Sequence, residues 1–216
     1  MGKLKMKNLE NIEMTDKVVL KPPQPSSRAY QSNEMAHLTF KEVKTSIGIM
    51  MFGSTTQGLC LMDFKYRKSF PKIINRIKNY FGKNISYGTT DIIELAEMQL
   101  KAYLEGILKS FTVPLDIRGS EFQLKVWKAL LDIKYGETVS YMDIAQKIGR
   151  PGAVRAVGNA NGQNGIAIIV PCHRVIGSDG APIGYGGGLP IKKKLLKLES
   201  GEKGKFISQD LMNFLS

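Results

Sequence analysis

The chain has 216 residues, of which 43% are hydrophobic and 23% are charged. At roughly 150 residues per domain this length allows one or two domains, and the composition is typical of a packed fold rather than a disordered chain. The sequence has no run of about 18 apolar residues, so it predicts no membrane-spanning helix. Residues 1–7 are basic and are followed by polar sequence, which is not the pattern of a signal peptide.

Basic residues outnumber acidic ones, 31 Lys and Arg against 19 Asp and Glu, and the net charge is +12. This charge favours a polyanionic partner such as nucleic acid, although lysines scattered over a surface give the same sum. Two cysteines in a chain of this length do not form a disulfide scaffold, so we expect a cytoplasmic protein. The four Cys and His residues lack zinc-finger spacing, and no metal site is predicted.

The first half predicts an α+β domain. Residues 1–34 are polar and Lys-rich and include a Pro-rich stretch, which indicates a flexible basic leader. Two apolar, β-branched stretches, 45–52 and 59–64, flank a Gly- and Ser-containing turn and predict a hairpin. Apolar residues then recur at helical spacing between 73 and 108. Strands followed by helices predict an α+β domain over residues 35–112.

The second half predicts mostly helices. Capping-box patterns mark three helix N-termini along the chain. They are Asp91-x-x-Glu94, Ser120-x-x-Gln123 and Ser140-x-x-Asp143. We expect a helical domain over residues 113–202 and a C-terminal tail over residues 203–216.

A second short helix is predicted over residues 153–161, after the turn at 149–152, and the pair is typical of a helix-turn-helix. This helix is built largely from small residues. They either pack tightly inside the domain or lie against DNA, and both interpretations stay open. Base-specific readout needs several polar side chains in a groove, and only Arg155, Asn159 and Asn161 are available, so we expect weak sequence preference.

One reactive grouping stands out. The apolar stretch 165–170 predicts a buried strand, which runs straight into Pro171-Cys172-His173-Arg174. A free thiol is only a few per cent thiolate at neutral pH, and a nearby imidazole base raises that fraction. Neighbouring residues of an extended chain point to opposite faces, so His173 acts on Cys172 directly only if the backbone turns, and otherwise through water.

The second half resembles the O6-alkylguanine-DNA alkyltransferases, also called methylated-DNA–protein-cysteine methyltransferases. Five segments occur in the order and spacing of that family and cover residues 115–200. They are RGSEFQ (118–123), GETVSY (136–141), RAVGNA (155–160), VPCHRVI (170–176) and GYGGGL (184–189). The resemblance implies an N-terminal ribonuclease-H-like α+β domain, followed by a mostly helical, helix-turn-helix (winged-helix-like) alkyltransferase domain.

The resemblance implies a catalytic set. Cys172 is then the alkyl acceptor, His173 activates it through a water, and Glu199 orients His173. Asn164 braces the turn before the cysteine. Tyr141 donates to the base and presses on the 3′ phosphate.

The resemblance also implies a DNA-binding helix and a base pocket. Arg155 fills the gap left by a flipped nucleotide, and the helix lies in the minor groove. The remaining DNA-binding positions are Ala153, Ala156, Asn159 and Tyr141, and the base pocket takes Val175, Tyr185, Gly186 and Gly187. In this pocket the carbonyls of Cys172 and Val175 bind the exocyclic amine, whereas Tyr185 and the Gly186 N–H face O6. Position 186 is often serine in the family.

The implied activity is DNA repair by direct reversal. The alkyl group of O6-alkylguanine, and of O4-alkylthymine, passes irreversibly to the Cys172 thiolate, so each protein acts once. The resemblance implies no cofactor and no metal. The expected partner is double-stranded DNA with a flipped base, bound by a monomer, with cooperative binding left open.

Three other functions compete with this one. A lesion-sensing protein flips the base without transferring its alkyl group, but such relatives lack an acceptor cysteine, and this chain has Cys172. A helix-turn-helix regulator, inferred from charge and residues 153–161 alone, requires a defined operator. A Cys–His hydrolase would turn over an acyl substrate. The sequence offers no second suitable histidine for it, because His37 lies outside any motif. The preferred alkyl size does not follow from the sequence.

Overall fold

The computed structural model describes residues 18–21, 37–82 and 84–201. Its strands are β1 (Val18–Lys21), β2 (Leu38–Thr45), β3 (Gly48–Ser54), β4 (Leu59–Phe64), β5 (Ile85–Tyr87), β6 (Leu115–Arg118), β7 (Val139–Ser140) and β8 (Val175–Ile176). Its helices are α1 (Phe70–Phe81), α2 (Asp91–Leu104), α3 (Glu121–Leu131), α4 (Tyr141–Lys147), α5 (Val154–Asn161) and α6 (Leu189–Glu199). Short 3₁₀ turns cover Pro151–Ala153 and Cys172–Arg174. The expected tail, residues 203–216, and most of the expected leader lie outside the described residues.

A six-stranded mixed sheet forms the first half, in the order β1-β6-β4-β3-β2-β5. Its centre is the antiparallel series β2, β3 and β4, and the hairpin predicted from residues 45–52 and 59–64 is confirmed as β3 and β4. The strands that flank this series, β5 and β6, run parallel to β2 and β4, and β1 at the edge runs parallel to β6. The fold is therefore mixed α+β, as expected.

Two short strands differ from the expectation. β1 lies inside the expected flexible leader and pairs in parallel with β6, with Val18 opposite Leu115. β6 belongs to this sheet although it lies beyond residue 112, where the first domain was expected to end. Strands of four residues are too short for a period-2 pattern to mark them, and they form because a distant neighbour supplies their hydrogen bonds.

Helices cover both faces of the sheet. α1 buries Ile73, Ile77 and Phe81 against one face, and α2 buries Ile93 and Leu100 against the other. Every residue of β4 is consequently buried. The larger core continues without a break from this second face into the helical half.

The helical half packs α3, α4 and α5 against one another. The predicted capping boxes at Ser120 and Ser140 are both confirmed. The box predicted at Asp91 is wrong, because Thr90 is the cap and its side chain accepts from the Ile93 N–H. None of the described helices is both long and apolar enough to cross a membrane.

The strand predicted over residues 165–170 is wrong. The chain turns back on itself there: Ala167 forms a bridge with Val170, and Ile168 has a φ of 72°. The segment is apolar because it is buried. It pairs with β4 at an isolated bridge, in which Met62 donates to the Gly165 carbonyl and accepts the Ala167 N–H. The Asn164 side chain binds the Ile166 N–H and the Val170 carbonyl. A positive φ is costly for a β-branched residue, so the packing around it holds this turn in place.

Candidate functional site

The reactive cysteine lies at a cleft between the two halves. The cleft has a volume of about 510 Å³. It is lined by Arg67, Lys68, Ser69 and Lys72 from the first half and by Tyr141, Gly158, Asn161, Gly162, Cys172, Gly184, Tyr185 and Gly186 from the second. A larger groove of about 710 Å³ lies between α2 and the β2–β3 turn, away from the cysteine.

The backbone turns at Cys172–Arg174, where it forms a 3₁₀ turn. A turn at this point is the condition under which the sequence allows His173 to act on Cys172 directly. Beneath this turn, Asn164 donates from Nδ2 to the Val170 carbonyl (2.9 Å) and accepts the Ile166 N–H (2.9 Å). Asn164 thus braces the buried turn that leads to Cys172. This is the position that the resemblance implies for it.

Glu199, at the end of α6, contacts three polar side chains of the site. Its Oε1 contacts His173 Nε2 (2.9 Å) and accepts from the Tyr103 hydroxyl (2.5 Å). Arg174 donates to both carboxylate oxygens, from Nε to Oε2 and from Nη2 to Oε1, each at 2.9 Å. Burial on its own would raise the pKa of Glu199, but hydrogen bonds from His173 and Arg174 lower it to about 2. The carboxylate is therefore ionised.

These contacts assign the tautomer of His173. Burial lowers the pKa of His173 below its usual 6.5, against the opposing effect of Glu199, so the ring is neutral at pH 7. Because a carboxylate only accepts hydrogen bonds, the single ring proton lies on Nε2. Nδ1 is buried without a hydrogen-bond partner among the described residues. It therefore presents a free lone pair that can take a proton.

The thiol of Cys172 is buried, with 5% of the residue exposed. Burial raises its pKa, whereas Asn164 and the charges of Arg67 and Lys192 act in the opposite direction. The resting group is accordingly a neutral thiol that needs a base. Cys60, the other free cysteine of the described residues, lies in the core beside α1, where burial also raises its pKa.

Two tyrosines face the cleft. Tyr141 is half-buried, and its hydroxyl lies 3.4 Å from the Ile183 carbonyl. Burial raises the pKa of Tyr141, so its phenol keeps its proton. The hydroxyl of Tyr185 is buried without a partner among the described residues, and burial raises its pKa as well. Tyr141 can therefore donate a hydrogen bond to a ligand in the cleft, whereas the Tyr185 hydroxyl is enclosed by the protein.

The remaining predicted residues are not all at the cleft. Val175 is buried in β8, and its carbonyl accepts from Lys192 Nζ (2.5 Å). Gly187 packs against Phe64. On α5, Arg155, Ala156 and Asn159 are at least partly exposed, as is Ala153 just before the helix. Because Ala153, Ala156 and Gly158 are small, the outer surface of α5 is smooth apart from Arg155 and Asn159.

Sequence analysis missed three charged residues of the site. Arg67 and Asp63 form a buried ion pair of 2.7 Å beside the cleft. Lys192 is buried in α6 and donates to three carbonyls, those of Val175, Ile183 and Gly184. A signal for Lys192 exists, because it shares the buried stripe of α6 with Leu195 and Glu199 at helical spacing.

Comparison with known proteins finds similar sequences. The family described as "6-O-methylguanine DNA methyltransferase, DNA binding domain" matches residues 121–201. A methylated-DNA–protein-cysteine methyltransferase of Methanosarcina barkeri is 46% identical over 160 residues, which are 73% of this chain and 94% of that protein. The protein of the same name from Mycobacterium tuberculosis is 64% identical over 101 residues, which are 47% of this chain. That match spans only 61% of the mycobacterial relative's length.

A solved structure is similar over both halves. The structure described as Mycobacterium tuberculosis OGT in complex with DNA matches with a TM-score of 0.68 and 41% identity, covering 79% of this chain and 98% of that one. The identity to the Methanosarcina protein extends over nearly its whole length. The chain therefore belongs to the family of methylated-DNA–protein-cysteine methyltransferases.

Proposed function

We propose that this chain repairs DNA by direct reversal, moving the alkyl group of O6-alkylguanine, or of O4-alkylthymine, onto the sulfur of Cys172. The observation that carries the proposal is the combination of Cys172 at the cleft with a neutral His173, whose Nδ1 is free among the described residues and whose Nε2 is held by Glu199. Family membership supports the same activity.

The chemistry balances without a cofactor. His173 Nδ1 takes the thiol proton, directly or through a water, and the thiolate attacks the alkyl carbon in line with the C–O6 bond. The S–C bond forms, the C–O6 bond breaks, and its electron pair stays on guanine. A proton from Tyr141 to N3 lets guanine leave neutral, and the proton on His173 restores the phenol. The product is a thioether on Cys172, so each molecule acts once.

The partner that we infer is double-stranded DNA. O6 is stacked inside a duplex, so the nucleotide must be rotated out at a cost of a few kcal/mol. The exposed Arg155 fills the gap, and the smooth surface of α5 lies in the minor groove. The net charge of +12 supports attraction to phosphates. We infer a monomer on DNA, located in the cytoplasm.

We also infer finer fold assignments. The antiparallel strands β2–β4 with parallel outer strands support a ribonuclease-H-like first domain, extended beyond residue 112 by β6. The helices α4 and α5, joined through Gly149 with a φ of 71°, support a helix-turn-helix in a winged-helix-like second domain.

The direct test uses a duplex that carries O6-methylguanine. Incubation followed by mass analysis of the Cys172 peptide is expected to show the gain of one methyl group in place of hydrogen. Cys172→Ser should leave the lesion in the DNA, whereas Cys60→Ser should act like the wild type. Binding of the lesion with no methyl on Cys172 would support the lesion-sensing alternative instead.

A further inference from the structure

Arg67 joins the first half of the molecule to the site. It lies beyond β4, with only 6% of its side chain exposed. Its Nη1 donates to Asp63 Oδ2 (2.7 Å) and to the Asn164 carbonyl (2.9 Å), and its Nη2 donates to the Gly162 carbonyl. Asp63 is also fully buried. The guanidinium is therefore fixed in orientation.

The turn that Arg67 holds is the one that leads to the cysteine. Asn164 is bound by Arg67 through its backbone and, through its side chain, holds Ile166 and Val170. Val170 in turn accepts the Cys172 N–H at 2.7 Å. A short chain of hydrogen bonds thus connects Arg67 to the backbone of Cys172.

Arg67 also occupies the space beside Gly186. A Cβ atom added at Gly186 would lie 2.5 Å from Arg67 Nε and 2.6 Å from Cζ, although real Cβ atoms essentially never approach another atom closer than 3.0 Å. Because hydrogen bonds hold the guanidinium, it cannot move aside at little cost. Both residues line the cleft that contains Cys172.

We propose that Arg67 is a positioning and specificity-determining residue for alkyl transfer, acting as a pair with Gly186. Arg67 braces the turn under Cys172 and forms the part of the pocket wall beside Gly186. This inference rests on the proposed function. The charge of Arg67 also favours the thiolate, together with Lys192 and Asn164 and against Asp63.

A double-mutant cycle tests the pair. Gly186→Ser, Arg67→Ala and the double variant are compared with the wild type in single-turnover transfer of methyl and benzyl groups from O6 of guanine in a duplex. Gly186→Ser is expected to slow methyl transfer about tenfold when Arg67 is present and less than about twofold in the Arg67→Ala background. Arg67→Ala alone should raise the benzyl-to-methyl rate ratio about fivefold or more, because it widens the pocket. Arg67→Lys should keep the wild-type ratio.

Controls separate this inference from folding and from the proposed function. Lys65→Ala alters an exposed ion pair with Glu42 in the same loop and should leave both rates unchanged. If Arg67→Ala fails to fold, the variant that combines Arg67→Met with Asp63→Asn takes its place in the cycle. This variant removes both charges of the buried ion pair. The inference is overturned if Gly186→Ser slows methyl transfer equally with and without Arg67. It is also overturned if Arg67→Ala leaves the benzyl-to-methyl rate ratio unchanged.

If the wild type transfers no alkyl group, the proposed function is refuted. The pairing of Arg67 with Gly186 is then tested by the thermal unfolding midpoints of the wild type, the two single variants and the double variant. The pairing requires Gly186→Ser to lower the midpoint when Arg67 is present and to leave it unchanged in the Arg67→Ala background. An equal shift of the midpoint in both backgrounds would overturn it.

Discussion

At the residue scale, Glu199 determines the charge state of the buried site. It binds His173 on one oxygen and Arg174 on both. Since Arg174 is permanently charged, the carboxylate balances a charge that burial would otherwise make very costly. The same contact fixes the His173 ring, with Nδ1 free of partners among the described residues. One carboxylate thus serves both the stability and the chemistry of the site.

Glu199→Gln should therefore change the dependence of stability on pH. The pKa of Glu199 is lowered in the folded protein, from 4.5 to about 2. The stabilisation that follows is complete above about pH 4.5 and is lost as the pH falls towards 2. Urea unfolding at pH 7 should show the variant less stable by about 3–5 kcal/mol. That difference should shrink by about 2–3 kcal/mol between pH 5 and pH 2. The exposed Glu137→Gln serves as the control, and a gap that stays constant with pH contradicts this account of Glu199.

Arg155→Ala tests nucleotide flipping at the same scale. The side chain is exposed on α5 and does not line the cleft. Its loss is expected to slow transfer from a duplex by about tenfold to a hundredfold, because flipping costs a few kcal/mol. Transfer from the free base O6-benzylguanine needs no flipping and should be unchanged. An equal loss on both substrates would place Arg155 in the chemistry rather than in flipping.

At the element scale, α5 presents a smooth outer surface, and the proposed function uses this surface against DNA. Ala156→Glu should weaken duplex binding by about tenfold or more, because a carboxylate there faces the phosphates. Lys44→Gln changes the net charge by the same amount on an exposed strand end outside α5 and should have little effect. Fluorescence anisotropy with a short duplex measures both. Equal weakening by the two variants would mean that only net charge matters.

The elements that were predictable from sequence are those with local signals. Ser120 and Ser140 lie three residues before their partners and mark the starts of α3 and α4 correctly. The capping pattern at Asp91 is wrong by one residue, since Thr90 offers an equivalent oxygen. Residues 165–170 have the composition of a strand, but the Asn164 side chain and a positive φ at Ile168 make them a turn. No local pattern carries that information.

The residues of the candidate site were likewise predictable only where the sequence carries a signal for them. Cys172, Tyr141, Tyr185 and Gly186, which the resemblance assigns to the site, line one cleft, and His173 contacts Glu199, which lies outside the five segments. Arg67 could not be predicted, because it lies in the other half of the chain and two of its partners are backbone carbonyls. Backbone acceptors exist at every residue, so a sequence does not indicate which of them an arginine will reach.

At the scale of the whole molecule, the excess of 31 basic over 19 acidic residues should govern binding to undamaged DNA. We expect affinity for duplex DNA to fall about a hundredfold between about 50 and 200 mM salt, with unrelated sequences bound equally. Binding isotherms at several salt concentrations measure both effects. A strong preference for one duplex sequence would instead favour the helix-turn-helix regulator.

The central claim is that Cys172 is consumed by the reaction. A limiting, accurately measured amount of protein is mixed with excess duplex carrying labelled O6-methylguanine, and the label transferred to protein is followed to completion. We predict a plateau at one methyl group per molecule, all of it on Cys172. Continued removal of methyl groups beyond that ratio, or removal by Cys172→Ser, would contradict the account.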